Sequence, residues 1–196
     1  MSDALQLLPA VDAVVVGASA GGIDALLVLF GALPARRRQP IVVVLHLPEG
    51  HQSRLADLFG ARIAGPVHEA RPGESLQPGA IYFAPPGYHL LVEQDRTFAL
   101  SLDAPVLFSR PSIDVLFESA ADAYGARLAG FILTGANADG AAGLAALKAQ
   151  GGFAAVQDPA EAAHVTMPEA ALQAVAADAV LPLAGLQRLL TRLLTP

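Results

Sequence analysis

Val14-Val15-Val16-Gly17-Ala18-Ser19-Ala20-Gly21-Gly22 is the stretch on which the fold turns. A β-branched apolar run stops at a glycine. One serine follows, then a small residue and two glycines, and Ile23-Asp24-Ala25-Leu26-Leu27 continues as a helix. Strand, tight turn and helix are the parts of a Gly-x-Ser-x-Gly nucleophile elbow. Glycine keeps Cβ atoms out of the crowded turn and permits positive φ. The serine is lifted off the C-terminal end of a sheet, where the next helix aims its free N–H groups. A plain strand–helix connection and a phosphate cradle use similar turns. For the cradle, both the Gly-x-Gly-x-x-Gly spacing and a following Gly-Lys-Ser/Thr are absent.

Outward from this stretch the pattern repeats. Residues 41–45 are a second unbroken apolar run, ending at His46-Leu47-Pro48. Residues 128–133 are a third, ending at Thr134-Gly135-Ala136-Asn137-Ala138-Asp139-Gly140. Runs apolar on both faces are the mark of a parallel sheet. With the first strand at 12–16, further strands are expected at 153–157 and 179–181. Helices are expected at 22–32, 51–62, 111–124, from the 139–140 loop to Gln150, and at 183–194. Thr166-Met167-Pro168-Glu169 reads as another helix start, with Thr166 as the cap, Pro168 in the first turn and Glu169 completing a capping box.

Residues 67–108 break the alternation. Short strands are expected at 67–70, 80–84 and 89–92, and residues 97–102 pair back across Glu93 to Arg96 as a hairpin. The fold class read from this order is α/β: a doubly wound, mainly parallel sheet with helices on both faces and an inserted antiparallel β-hairpin.

Composition narrows the function classes. Of 196 residues, 54% are hydrophobic and 15% charged, which excludes a disordered chain. The expected organisation is a lead-in at 1–11 and one domain at 12–196. No apolar run of about 18 residues is present, so no membrane insertion is expected. Neither a basic n-region nor an apolar h-region opens the chain. There are no cysteines, which removes disulfides, thiolate catalysis and cysteine-ligated zinc, and a cytoplasmic location fits. A net charge of −6 argues against nucleic acid as a partner. The one short basic run, Arg36-Arg37-Arg38, reads as a solvated connection.

In doubly wound sheets, sites form beyond the carboxyl ends of the strands. Of five histidines, only His46 directly follows a buried parallel strand. Beside the Ser19 turn it is the candidate general base; on its own it would read as a strand-end histidine. His51 opens an expected helix, His68 and His89 fall in the hairpin region, and His164 lies in a loop. Asp139 is the candidate acid, because it lies in the loop after the third buried strand. Its other reading is an N-cap of the helix that follows. Asp158 is next in line, and Asp24 and Asp114 fall within helices. No His-Glu-x-x-His is present, and no metal site is expected.

Together these segments resemble the catalytic domain of the chemotaxis protein-glutamate methylesterases, the CheB family. The resemblance runs over about residues 12–182. Besides the elbow, Leu45-His46-Leu47-Pro48 and the 133–141 loop, it includes Phe83-Ala84-Pro85-Pro86-Gly87-Tyr88-His89-Leu90 and Arg110-Pro111-Ser112-Ile113-Asp114-Val115-Leu116-Phe117. It implies a Ser-His-Asp triad at Ser19, His46 and Asp139, with main-chain N–H groups at Ala20, Gly21 and Ala136 as candidates for the oxyanion hole. It also implies hydrolysis of glutamate γ-methyl esters on a methyl-accepting chemoreceptor and, in some members, deamidation of glutamine, without a cofactor. The family pattern has threonine at the place of Ala20, methionine at Leu47, and Met-Gly at Ala136-Asn137. Well-known members carry an N-terminal receiver domain. About eleven residues precede the first strand here, so control is expected to come from another protein. The competing readings are a serine hydrolase acting on another ester or amide, and a weakly active interaction module in a sensory complex.

Overall fold

The computed structural model describes residues 8–34, 36–47 and 54–195. Its elements begin with β1 (Ala13–Ala18), α1 (Gly22–Phe30), β2 (Ile41–Leu45), α2 (Leu55–Gly60), β3 (Val67–Glu69) and β4 (Ile81–Phe83). There follow β5 (His89–Val92), β6 (Phe98–Ser101), α3 (Ile113–Tyr124), β7 (Leu128–Ile132) and α4 (Ala141–Ala149). The chain closes with β8 (Phe153–Gln157), α5 (Thr166–Ala174), β9 (Ala179–Leu181) and α6 (Leu183–Leu193).

The apolar runs form the centre of a seven-stranded sheet in the order β3-β4-β2-β1-β7-β8-β9, every pair parallel. Side chains alternate along each strand. Val14 and Val16 join Leu26, Phe30, Phe59 and Leu190 on one face. Ala13 and Val15 join Phe117, Leu144 and Ala171 on the other. Helices α1, α2 and α6 therefore cover one side, and α3, α4 and α5 cover the opposite one. The antiparallel pair β5–β6 is a separate hairpin, packed on the second layer through Leu90, Val92 and Phe98. No helix among the described residues is long and apolar enough to cross a membrane.

Three expectations need correction. The short strands at 67–69 and 81–83 belong to the main sheet, as its parallel edge, and His68 lies there, its ring 5.7 Å from that of Tyr82. Arg37 is not solvated: its side chain is buried and donates to the carbonyls of Pro34 (3.3 Å) and Ala64 (2.9 Å). No capping box forms at Thr166. Val165 holds the cap position with helical backbone, no side chain caps it, and the Glu169 N–H that a Thr166 cap would take donates to the Val165 carbonyl (2.9 Å). The start of the expected helix at 51–62, with His51, lies outside the described residues.

Strand order reverses at β1, whose neighbours are β2 and β7, and the crevice beyond their carboxyl ends is where an open α/β sheet places its site. Ala18 and Leu45 are register partners, so Ser19 and His46 leave adjacent strands at one level. The His46 N–H donates to the Ala18 carbonyl (3.1 Å), and the Ser19 N–H to that of Thr134 (3.0 Å).

Two helix starts meet below this crevice, and each is satisfied by the other's aspartate. Asp139, just before α4, accepts from the Ile113 N–H (2.6 Å) and the Asp114 N–H (3.1 Å) at the start of α3. Asp114, in the first turn of α3, accepts from the Gly140 N–H (2.9 Å) and the Gly143 N–H (2.7 Å) at the start of α4. Carboxylates are favourable at helix N-termini, where the orphan N–H groups carry partial positive charge. The approach requires glycine at 143, since a Cβ there would lie 2.7 Å from Phe117 Cβ and 2.9 Å from the Asp114 main chain.

Burial pushes the Asp114 carboxyl up to about 6 from an ordinary 3.8, and the negative charge of Asp139 adds to this, while the N–H groups of Gly143 and Gly140 oppose it. A carboxyl raised in the folded state binds its proton more tightly there. Native stability therefore falls as pH rises between the two values and levels off above the higher one. The difference in unfolding free energy between wild type and Asp114→Asn is expected to change by about 2–3 kcal/mol between pH ~4 and ~7, to the disadvantage of the wild type at the higher pH. Denaturant titrations at the two pH values measure it, and a flat difference sinks the assignment. Gly143→Ala is expected to cost about 1–3 kcal/mol through overpacking, read as a lower denaturation midpoint at unchanged m-value.

Candidate active site

Ser19 sits on a tight turn closed by the Gly22 N–H donating to the Ser19 carbonyl (2.8 Å). Gly21, at the third position, has φ 78 and ψ 0, the left-handed conformation that a type II turn demands there. A Cβ on Gly21 would also come within 3.0 Å of Ala163. Helix α1 starts at Gly22, so its N-terminus lies directly behind the serine. The Thr134 hydroxyl locks the turn by donating to the Ala20 carbonyl (2.9 Å) while accepting from the His164 N–H (2.9 Å). The elbow, the loop after β7 and the loop before α5 are thus joined through one buried side chain.

His46 Nε2 lies 2.8 Å from Asp139 Oδ2. Asp139 is fully buried and has two more donors on α3 beside the imidazole, plus the Ser112 hydroxyl on its other oxygen (2.7 Å). Burial alone would raise its pKa. The His46 hydrogen bond, the N–H groups of Ile113 and Asp114, and Ser112 together outweigh burial and hold the carboxyl below its ordinary value. An ionised carboxylate only accepts, so Nε2 carries the proton and Nδ1 is left as the acceptor. Nδ1 faces the Ser109 hydroxyl at 3.4 Å, and that hydroxyl accepts from Asn137 Nδ2 (3.1 Å).

The structure thus brings His46 and Asp139 into contact and sets Ser19 beside His46 on the neighbouring strand. Among the described residues the Ser19 hydroxyl has no hydrogen-bond partner. The main-chain N–H groups of Ala20, Gly21 and Ala136 likewise donate to no acceptor among the described residues. Asp158 is elsewhere, accepting from the Ala160 N–H in its own turn (2.9 Å), and Asp24 is exposed on α1. His89 is buried between the Ser112 N–H (3.1 Å) and the Ala104 carbonyl (3.1 Å), which fixes its tautomer and ties the hairpin to the start of α3. No cluster among the described residues has three or more His, Cys, Asp or Glu placed to hold a metal ion.

Ser109, Ser112, Thr134 and Asn137 were not anticipated as parts of the site. Ser112 had a readable signal, a serine three residues before Val115 at a helix start, and it does accept from the Val115 N–H (3.4 Å). Asn137 stood out only as a departure from the family pattern, and Ser109 had no signal. Ser109 closes a two-residue hairpin turn: its N–H and carbonyl pair with the carbonyl and N–H of Val106 (2.8 and 3.1 Å). Between them, Leu107 and Phe108 have φ 46 and 64, which costs about 1–2 kcal/mol for each residue with a Cβ.

The model of the CheB methylesterase family matches residues 14–190. A Leptospira interrogans relative is 44% identical over 182 residues, covering 93% of this chain and 94% of the relative. The Bordetella parapertussis protein-glutamate methylesterase/protein-glutamine glutaminase is 42% identical over 92% of this chain, which spans 53% of that relative's length. Among solved structures, the Thermotoga maritima CheB methylesterase catalytic domain superposes with a TM-score of 0.88 at 31% identity, covering 94% of this chain and all of that one. A doubly wound sheet with its candidate residues on adjoining strand ends, and relatives alike over nearly the whole chain, lead to one assignment: the chain belongs to the CheB methylesterase family.

Proposed function

We propose that this chain hydrolyses glutamate γ-methyl esters on chemoreceptor proteins, with Ser19 as nucleophile, His46 as general base and Asp139 as the carboxylate that orients it. The observation that carries the reading is the 2.8 Å pair of His46 and a fully buried Asp139, one strand away from a serine on a glycine turn. Family membership supports the reaction class, and the names of the Bordetella and other relatives supply the ester and amide substrates.

The chemistry follows from the geometry. Asp139 keeps its charge, holds the Nε2 proton and stabilises the imidazolium when it forms. Nδ1 is therefore the basic nitrogen. As the Ser19 hydroxyl turns toward it, Nδ1 takes the proton and Oγ bonds to the ester carbonyl carbon. The developing oxyanion is met by the free N–H groups of Ala20, Gly21 and Ala136, at the positive end of α1; such donors are typically worth about 3 kcal/mol each. The C–O bond to the methoxy group breaks, the imidazolium returns its proton, and methanol leaves. Water, deprotonated by the same nitrogen, then attacks the acyl carbonyl; the bond to Ser19 Oγ breaks, the imidazolium returns its proton to Oγ, and a glutamate carboxylate remains. With an amide in place of the ester, the departing group is ammonia.

Methanol release from a methylated receptor fragment tests the assignment. Ser19→Ala is expected to lower kcat by about 10⁴-fold or more. The variant should fold as the wild type does, since the hydroxyl has no structural partner among the described residues. Undiminished release would overturn the reading.

A further inference from the structure

The turn at residues 106–109 is built against its own conformational preference. A two-residue hairpin turn with positive φ at both central positions favours Asn-Gly, because those residues tolerate the left-handed region. Here the positions hold Leu107 and Phe108. Neither side chain repays the strain by burial: Leu107 is 47% exposed and Phe108 is 100% exposed. Backbone strain of this kind persists at ligand clamps and active sites, where the surroundings over-determine it.

The surroundings do so here. Asn137 Nδ2 reaches both the Leu107 carbonyl (3.5 Å) and the Ser109 hydroxyl (3.1 Å), tying the turn to the loop that carries Asp139. On the other side, Arg110 Nη1 donates to the carbonyls of Leu102 (3.1 Å) and Asp103 (3.1 Å). One residue beyond Phe108, Ser109 faces His46 Nδ1. The tip therefore stands on a fixed base, one residue from the imidazole. No charged side chain occurs from Ala104 to Ser109, so its complement is apolar.

We propose that Leu107 and Phe108 form an apolar clamp that seats the side chains flanking the ester-bearing residue of a protein substrate. This rests on the esterase reading above. Phe108 is wholly exposed one residue beyond the Ser109 that faces Nδ1, so what covers it comes from positions neighbouring the ester-bearing residue on the same polypeptide. Exposed aromatic anchors are the residues that dominate protein–protein recognition.

The double variant Leu107→Asn/Phe108→Gly keeps the turn type and removes both side chains. The probes are two synthetic helical peptides bearing one glutamate γ-methyl ester, one flanked by leucine and alanine at helical spacing, the other by serine and glutamine. The wild type is expected to prefer the apolar-flanked peptide by about tenfold or more in kcat/KM, mainly through KM, and the variant by less than about twofold. The variant's thermal midpoint should rise as the strain is relieved. Equal preference in both proteins overturns the clamp. So does a loss shared equally by both peptides, which would show that the turn acts only by holding Ser109 against His46. If neither protein releases methanol from any peptide, the esterase reading fails, and fluorescence anisotropy decides the clamp. The wild type must then still bind the apolar-flanked peptide about tenfold more tightly than the variant does.

Discussion

The exchange of carboxylates between two helix starts is the constraint on which the site depends. An isolated carboxylate buried as deeply as Asp139 would cost several kcal/mol, or would take up a proton and cease to be a charge. Donors from Ser112, Ile113 and Asp114 prevent that, and they are in place because α3 begins where it does. Its start is pinned in turn by His89 on the Ser112 N–H and by Asp114 reaching across to α4. The imidazole of His46 thus meets an acceptor whose charge and direction are set by the starts of α3 and α4.

This arrangement is not cost-free. Two carboxylates share a small buried region, and the strain falls unevenly. Asp139, with four donors, stays ionised, whereas Asp114, with two, is pushed toward its neutral form. Pairs of acids driven apart in this way are a recurrent means of assigning different roles to chemically identical groups. Here the separation leaves one acid to orient the histidine and the other to fasten two helices.

Much of the fold was legible because the central strands carry their own signal. The runs that became β1, β2 and β7 are apolar on both faces, and the residues after them fall at the sheet's carboxyl edge by a rule of topology. That position is what makes Ser19, His46 and Asp139 candidates, and of the three the structure shows His46 in contact with Asp139. The partner of Asp139 was less legible. Sequence locality suggested that it caps the helix it precedes, yet it caps α3, and Asp114 serves α4 in its place. A capping preference can be read from a few residues; which helix receives the cap is decided by packing. At Thr166 a sound local motif fails because the helix starts one residue earlier, so the Glu169 N–H that Thr166 would cap donates to the Val165 carbonyl. Short edge strands such as β3 gave too weak a pattern to show which sheet they join, and Ser109 reaches His46 only through a turn whose residues argue against that turn.

The sequence distances within the site differ widely. The bonds between the two helix starts close loops of 25 to 29 residues, whereas His46 comes to Asp139 from 93 positions away. Closing the longer loop costs about 1 kcal/mol more in chain entropy, and it also requires β1, β2 and β7 to be aligned. The bonds around Asp139 therefore join near neighbours, whereas the imidazole of His46 depends on long-range order. The contact between His46 and Asp139 thus exists only where β1, β2 and β7 lie side by side.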